Sequence, residues 1–301
     1  MVPYRPFSQR TPDTQYQTLL RLIKDRGEEV PTQQDASKLQ WIGHTMRFDL
    51  ANGFPIITER DLISEPSQFK MALAELCAFL NGAHTLEEMR SFGCGWWAPW
   101  VTEEKCRKRG LETGDLGPGS YGPAWRSFPT AEGGSFDQIT HVLQQIRELP
   151  HLTTHIASPW IPQYLGRGEN KQQKVVVVPC HGWFHVHVNA IKQELTLLHF
   201  QRSADAPVGL VFNLIQYAAL TLMLAQVTGY RPKALVYLID DAHIYLKQMP
   251  HVDAMLQTTP EAFPTVTFDP TVKDLFAFRP DHFTVTDYHP RLPRRRIWTP
   301  V

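Results

Sequence analysis

Apolar and polar positions alternate along this chain in two different periods, and the change from one to the other marks its elements. Thr11 to Gly27 has helical spacing, with Tyr16, Leu19, Leu20 and Ile23 on one face, Thr11 as a cap and Pro12 in the first turn. Lys38 to Leu50 has period two, Met46, Phe48 and Leu50 alternating with polar neighbours, so a strand is expected, followed by a turn at NGFP (Asn52 to Pro55). Pro66 to Asn81 returns to helical spacing through Phe69, Leu73, Leu76, Cys77 and Leu80, and Gly82 stops it. Thr85 to Phe92 reads as a short helix. Ser135 with Gln138 predicts a capping box for a helix to about Glu148. Three strand-like runs follow, at Val175 to Val178, Trp183 to Val188 and Glu194 to Phe200. A long apolar helix is expected from about Val211 to Thr228, then a buried strand from Ala234 to Ile239. The remainder reads as Pro-rich loops and short strands ending in RLPRRRIWTPV.

Val211 to Tyr230 lacks any Lys, Arg, Asp or Glu but contains Asn213, Gln216, Thr221 and Gln226. It is short for a membrane span and reads as a helix buried on all sides in a soluble protein. No internal repeat or linker-like break is visible, so residues 1–301 are expected to form a single α+β domain. Apolar residues make up 43% and charged residues 20%, enough for a sizeable core. Lys+Arg and Asp+Glu are both 30, and zero formal charge argues against bulk nucleic-acid binding. The four cysteines, Cys77, Cys94, Cys106 and Cys180, show neither a CxxC pair nor zinc spacing. With no apolar leader at the N-terminus, a reducing, cytoplasmic setting is expected. His185 and His187 share a strand face, but no nearby cysteine or carboxylate completes a metal site, and none is expected.

Several residues carry possible chemistry. Glu75 sits between Leu73 and Leu76, either at a solvated helix flank or as a buried carboxylate that needs a partner or a task. Trp96, Trp97 and Trp100 lie among Gly and Pro, as core plugs or as a stacking platform for a flat ligand. GDLGPGSYGPAWRSF (Gly114 to Phe128) fits neither a phosphate loop nor a dinucleotide fingerprint. Cys180 follows four valines and a proline. It is inert core unless a cation lowers its thiol pKa, and a hairpin back through Glu194 to Phe200 would bring Arg202 close. His181 points away from its neighbour in extended chain, while His243 leaves a Cys–His hydrolase open. Asn213 is a helix cap or an amide that reads the edge of a base.

The combination of PCH (Pro179 to His181), QRSAD and FN (Gln201 to Asn213) and DDAHIY (Asp240 to Tyr245) resembles the thymidylate synthase family, which includes the deoxynucleotide hydroxymethylases. WIGHTMRFDL and GFPIIT (Trp41 to Thr58), AELCAFLNG (Ala74 to Gly82), WWAPW (Trp96 to Trp100) and DLGPGSYGPAWR (Asp115 to Arg126) extend it over most of the chain. The resemblance implies an α+β homodimer joined through a large mixed sheet with helices packed on one side. It implies one-carbon transfer from 5,10-methylenetetrahydrofolate to C5 of a uracil nucleotide, with Cys180 adding at C6 to make C5 enolate-like. Arg202 would lower the thiol pKa and hold phosphate, Glu75 would shuttle protons, and Tyr121 would sit near the C5 proton. Asn213 would read N3–H and O4 of uracil, His243 and Tyr245 would hold the sugar 3′-hydroxyl, and His181 and Ser203 would belong to the nucleotide site. Asp205 would face the pterin, with Trp97, Trp100, Gly209 and Phe212 lining the folate pocket.

The departures lie elsewhere. The family's phosphate arginines align with Gln33, Thr153 and Thr154, leaving Arg202. Arg294, Arg295 and Arg296, or Lys171 and Lys174, are the cations available to replace them. Glu59 stands at a usual lysine, Ala98 at a usual aspartate, and Asp240 at a usual glycine. Three functions are therefore weighed: reductive methylation of dUMP, 5-hydroxymethylation of a pyrimidine nucleotide (dUMP, dCMP or CMP), and non-catalytic nucleotide binding or partner interaction.

Overall fold

The computed structural model describes residues 4–32 and 36–300. Its centre is a mixed sheet of six strands: β1 (Glu28–Pro31), β2 (Ser37–Asp49), β3 (Ile156–Ala157), β4 (Trp183–Asn189), β5 (Glu194–Asp205) and β6 (Arg231–Tyr245). Their order is β1-β2-β6-β5-β4-β3, and only the β5–β6 pair is parallel. The parallel pair needs a crossover, and the long apolar helix supplies it.

Period-two patterning gives the sheet two unlike faces. Met46 and Phe48, Phe184 and Val186, Leu195 and Leu197, Leu235 and Tyr237 are buried on the inner face. Trp41, Trp183, Leu198, Phe200, Val236 and Leu238 are half-buried on the outer face. The helices α1 (Gln15–Arg26), α2 (Gln68–Leu80), α3 (Tyr121–Arg126), α4 (Gln138–Glu148) and α5 (Gly209–Thr228) include the main core helices. α5 packs on β5 and β6, and α2 packs on α5. This explains why α5 is apolar all round: sheet and helix cover opposite sides of it. It is long and apolar enough to cross a membrane, yet 89% of its apolar window is buried inside the fold.

Several boundaries differ from the sequence expectation. α1 begins at Gln15, because Asp13 Oδ1 accepts from Gln15 N at 2.9 Å while Thr11 N is taken by Asn52 Oδ1 at 3.0 Å. Asp137, rather than Ser135, caps α4 by accepting from Thr140 N at 3.0 Å. Ser135 instead pairs with Pro129 in a short ribbon, and Gln138 Nε2 reaches Ala124 O and Ser158 O at 2.6 and 2.8 Å. Val175 to Val178 forms no strand, because the chain bends at Val176 and Val177. β5 runs on to Asp205 and β6 to Tyr245, so that the polar motifs QRSAD and DDAHIY are themselves sheet.

Candidate active site

Cys180 lies just before β4, and the hairpin to β5 closes on it. Its carbonyl accepts from Arg202 N at 2.8 Å and Ser203 N at 3.3 Å, and its own N–H donates to the Tyr121 hydroxyl at 2.8 Å. The Arg202 guanidinium is 3.4 Å from Cys180 Sγ and donates from Nε to Pro179 O at 3.1 Å. The cation expected from the sequence is therefore beside the thiol. It does not carry the thiol pKa down, however: burial pushes Cys180 up, and Arg202 only opposes that. Low dielectric penalises the thiolate more than one engaged guanidinium stabilises it.

His181 stacks on Tyr121 with ring centroids 4.3 Å apart and sits 2.6 Å from the Tyr217 hydroxyl through Nδ1. Burial lowers its pKa to about 3, so it is a neutral imidazole. His243 is engaged by neighbouring residues of its own strand, β6. Its Nδ1 faces Asp241 Oδ1 at 3.1 Å, and its ring meets Tyr245 edge-on.

Asp241 gathers a cluster that sequence reasoning misses. Lys38 Nζ lies 2.6 Å from Asp241 Oδ2, Ser203 Oγ donates to the same oxygen at 3.2 Å, and Lys38 Nζ is 3.5 Å from His243 Nδ1. Burial would raise the Asp241 pKa, but His243 and Lys38 outweigh it and hold the carboxyl far below the usual range. In the sequence Lys38 is only the start of a strand. The signal for it is the pairing of β2 with β6, which sets Lys38 opposite Tyr245 and Gln40 opposite His243.

Glu75 is buried in the middle of α2, which decides between its two sequence readings. Trp97 Nε1 donates to Oε1 at 2.7 Å and Gln216 Nε2 to Oε2 at 2.6 Å. Burial raises its pKa to about 7 against both hydrogen bonds. Trp97 is thus neither a bare plug nor only a platform. Asn213 is not the cap of α5, because the helix begins at Gly209, a turn earlier. Its Oδ1 accepts from Gln201 Nε2 at 3.0 Å and its Nδ2 donates to Gln216 Oε1 at 2.9 Å.

A cavity of about 900 Å³ is lined by Glu75, His181 and Asn213 together with Asp205, Gly209, Phe212, Trp96, Trp97 and Trp100. Arg60, Arg294, Arg295, Arg296, Trp298 and Thr299 complete its wall. Trp96 and Phe212 meet at a tilt of 35° with centroids 4.7 Å apart, and the Arg60 guanidinium lies 5.9 Å over Phe212. Asp205 accepts from Gln248 Nε2 at 3.0 Å and from Thr299 Oγ1 at 3.0 Å, so the tail reaches the cavity floor. Burial raises the Asp205 pKa, opposed first by His243. Cys180, Tyr121, Arg202, Ser203, His243 and Tyr245 form an adjoining group, joined to the cavity by the Tyr121–His181 stack and by β5.

The replacement cations are distributed unevenly. Arg294, Arg295 and Arg296 share the cavity wall with the aromatic residues. Lys171 bounds a separate depression of about 290 Å³ with Lys108, Arg109 and Arg167, and Lys174 lies over Tyr164. Thr153 and Thr154 are exposed beside the edge strand β3, and Asp240 is exposed on the outer face of the sheet. Gln33 lies outside the described residues. Glu59 is buried, accepts from Thr58 N at 3.0 Å and has a pKa raised to about 7 by burial.

A family model described as thymidylate synthase matches residues 14–296 of the 301.

Proposed function

The chain belongs to the thymidylate synthase family, and from that premise we propose that it transfers a one-carbon unit to C5 of a uracil nucleotide, methylating dUMP to dTMP. The observation that carries this reading is the pairing of a thiol held against Arg202 with a carboxyl of pKa about 7 on the adjoining cavity. Uracil C5 is a weak nucleophile, and addition of Cys180 Sγ at C6 moves electron density onto C5. The proton leaves a thiol that burial disfavours ionising, so thiolate formation is coupled to substrate arrival beside Arg202.

Glu75 is poised to hold or release a proton near neutral pH. Asn213 presents one amide N–H and one carbonyl lone pair to the base edge. Tyr121 keeps its proton, because burial raises its pKa well above the usual value, and its hydroxyl already positions the Cys180 backbone. His243, Tyr245 and Ser203, backed by Lys38 and Asp241, form the sugar side.

The residues present fit methylenetetrahydrofolate as co-substrate. Trp96, Trp100 and Phe212 offer flat apolar walls, Asp205 a carboxyl for a pterin edge, and Arg60 a cation. When bound, the folate supplies the carbon and, for methylation, the hydride. Ile297, Trp298 and Thr299 all line the cavity, and Ile297 is buried. That placement favours exclusion of water, and hence methylation over hydroxymethylation.

On this reading the chain is one domain that works as a homodimer in the reducing cytoplasm. Support for the dimer is the apolar outer face of the sheet, where Ile156 is 51% exposed beside half-buried Trp41, Phe200 and Leu238. Sedimentation giving a monomer at micromolar concentration would remove it.

The test of function is incubation with methylenetetrahydrofolate and, separately, dUMP, dCMP, UMP, CMP and deoxyuridine. Product mass distinguishes addition of CH₂ from addition of CH₂O, and dihydrofolate absorbance reports methylation independently. Gain of CH₂ on dUMP with stoichiometric dihydrofolate is expected. Gain of CH₂O without dihydrofolate would replace methylation by hydroxymethylation, and no product from any pyrimidine would refute the reading.

A further inference from the structure

Behind the base-reading amide runs an unbroken series of side-chain hydrogen bonds. The Tyr237 hydroxyl bonds to Gln201 Oε1. Gln201 Nε2 donates to Asn213 Oδ1 at 3.0 Å, and Asn213 Nδ2 donates to Gln216 Oε1 at 2.9 Å. Gln216 Nε2 then donates to Glu75 Oε2 at 2.6 Å. Gln201 and Gln216 are both 1% exposed, so water does not compete for these groups.

The polarity of the series is fixed at two places. Gln216 Nε2 also lies 3.1 Å from Ala72 O, and Gln201 Nε2 lies 2.9 Å from Ser203 O. A backbone carbonyl only accepts, so each glutamine must turn its NH₂ towards that carbonyl. Gln216 therefore shows its oxygen to Asn213, while Gln201 shows Asn213 a hydrogen. Turning the Asn213 amide over would set oxygen against oxygen at Gln216 and NH₂ against NH₂ at Gln201. Both clashes would be buried and unsatisfied.

This matters because an asparagine is by itself indifferent to the base. Uracil offers N3–H and O4 at its edge, whereas cytosine offers N3 and N4–H₂, the reverse order. With C6 held at Cys180 and the sugar leaving from N1, the ring cannot turn over to compensate. A free amide would rotate to suit either base.

We propose that Gln216 is a specificity-determining residue: its carbonyl pins the Asn213 amide in the single orientation that pairs with uracil, and its NH₂ ties that orientation to Glu75. Gln216 is a positioning residue, acting through Asn213 and Glu75 rather than on the ring. The inference rests on the pyrimidine-transfer function proposed above.

The test compares kcat/KM for dUMP and dCMP in the wild type, Gln216→Met, Gln216→Ser and Gln216→Glu. Methionine keeps the length and serine admits water, and both remove the carbonyl that faces Asn213. The ratio favouring dUMP is expected to fall about tenfold or more in both, whatever happens to the absolute rates. Gln216→Glu, when protonated, keeps an accepting oxygen and a donor and is expected to retain the wild-type ratio. Either the methionine or the serine variant, if folded, is enough to decide. Parallel loss on both substrates with an unchanged ratio would overturn the proposal and leave the function standing. A wild type that turns over no pyrimidine would refute the function and this inference with it.

Discussion

The two halves of the site solve the problem of buried polarity in opposite ways. Around the proposed base site, Asn213, Gln216, Gln201, Trp97 and Glu75 satisfy one another with neutral amides, an indole and a carboxyl raised to about 7. Around Cys180 and the proposed sugar side, Arg202, Lys38 and Asp241 do it with charge. A neutral network fixes direction, because each amide has a donor end and an acceptor end. A charged cluster fixes strength and tolerates rearrangement, because cations and anions attract from many angles. The neutral half is therefore suited to telling one base from another, and the charged half to gripping whatever the base carries.

The largest expected effect removes the proposed nucleophile, Cys180. Cys180→Ala should lower turnover by roughly a thousandfold or more, because no other group there adds at C6. Nucleotide binding, measured by calorimetry, should survive. Residual turnover near the wild-type rate would separate Arg202 and Glu75 from any common mechanism.

Next comes the neutral half. Glu75→Gln should cost on the order of 10²–10⁴ in turnover if the carboxyl moves a proton. Its raised pKa also makes a stability prediction of definite sign. Between the ordinary glutamate value of 4.5 and about 7 the folded protein holds a proton on Glu75 that the unfolded chain releases. Stability from this group is therefore lost as pH rises through that window. Glu75→Gln keeps a neutral side chain, so its melting temperature should gain on the wild type from pH 5 to pH 8. A constant difference would mean that Glu75 does not titrate there.

Breaking the charged half should matter less. Lys38→Met leaves Asp241 with His243 and Ser203 but without its ammonium partner. The pair is largely shielded but not sealed, with side-chain exposures of 11% and 18%. A loss of about 2 kcal/mol is expected, below that for a fully buried pair. Asp241 has a depressed pKa, so its contribution is present above the unfolded value of 3.8 and fades as pH falls below it. The deficit of Lys38→Met, read from denaturant midpoints, should accordingly be full at pH 7 and shrink below about pH 4. An equal deficit at both would point to lost packing rather than lost charge.

How far the sequence reveals these halves differs for a physical reason. The groups proposed to react or read the base are legible because each is an unusual residue in an apolar setting: Cys180 after valines, Glu75 among leucines, Asn213 in an uncharged helix. The resemblance adds their roles. Gln216 is equally visible, three residues after Asn213 and so on the same helix face, yet a polar residue at that spacing says nothing about what lies across from it. Lys38 gives no signal, since a lysine at a strand start is ordinary and its partner is 203 positions away. The strand ends escape for the same reason: QRSAD and DDAHIY are too polar to look like sheet until their side chains are seen to pair across it. Helix caps fail locally, where Asp13 and Asp137 win over neighbouring Thr and Ser, both carboxylates being stronger acceptors.

The smallest effect distinguishes where the tail belongs. Arg295 is a candidate for the missing phosphate grip, which would place it with the charged half. In the structure it lines the same cavity as Arg294, Arg296, Trp96 and Trp100. A cation at that wall meets the folate, whose benzoylglutamate end carries carboxylates, before it meets a nucleotide phosphate. Arg295→Ala should therefore raise the KM for methylenetetrahydrofolate about threefold to tenfold, as expected for one partly solvated charge-assisted contact, and leave the KM for dUMP within error. Higher salt should shrink the difference between wild type and variant, because the contact lies at an open rim. If the KM for dUMP rises instead, the tail bridges both halves, and the division between a neutral base site and a charged grip is drawn in the wrong place.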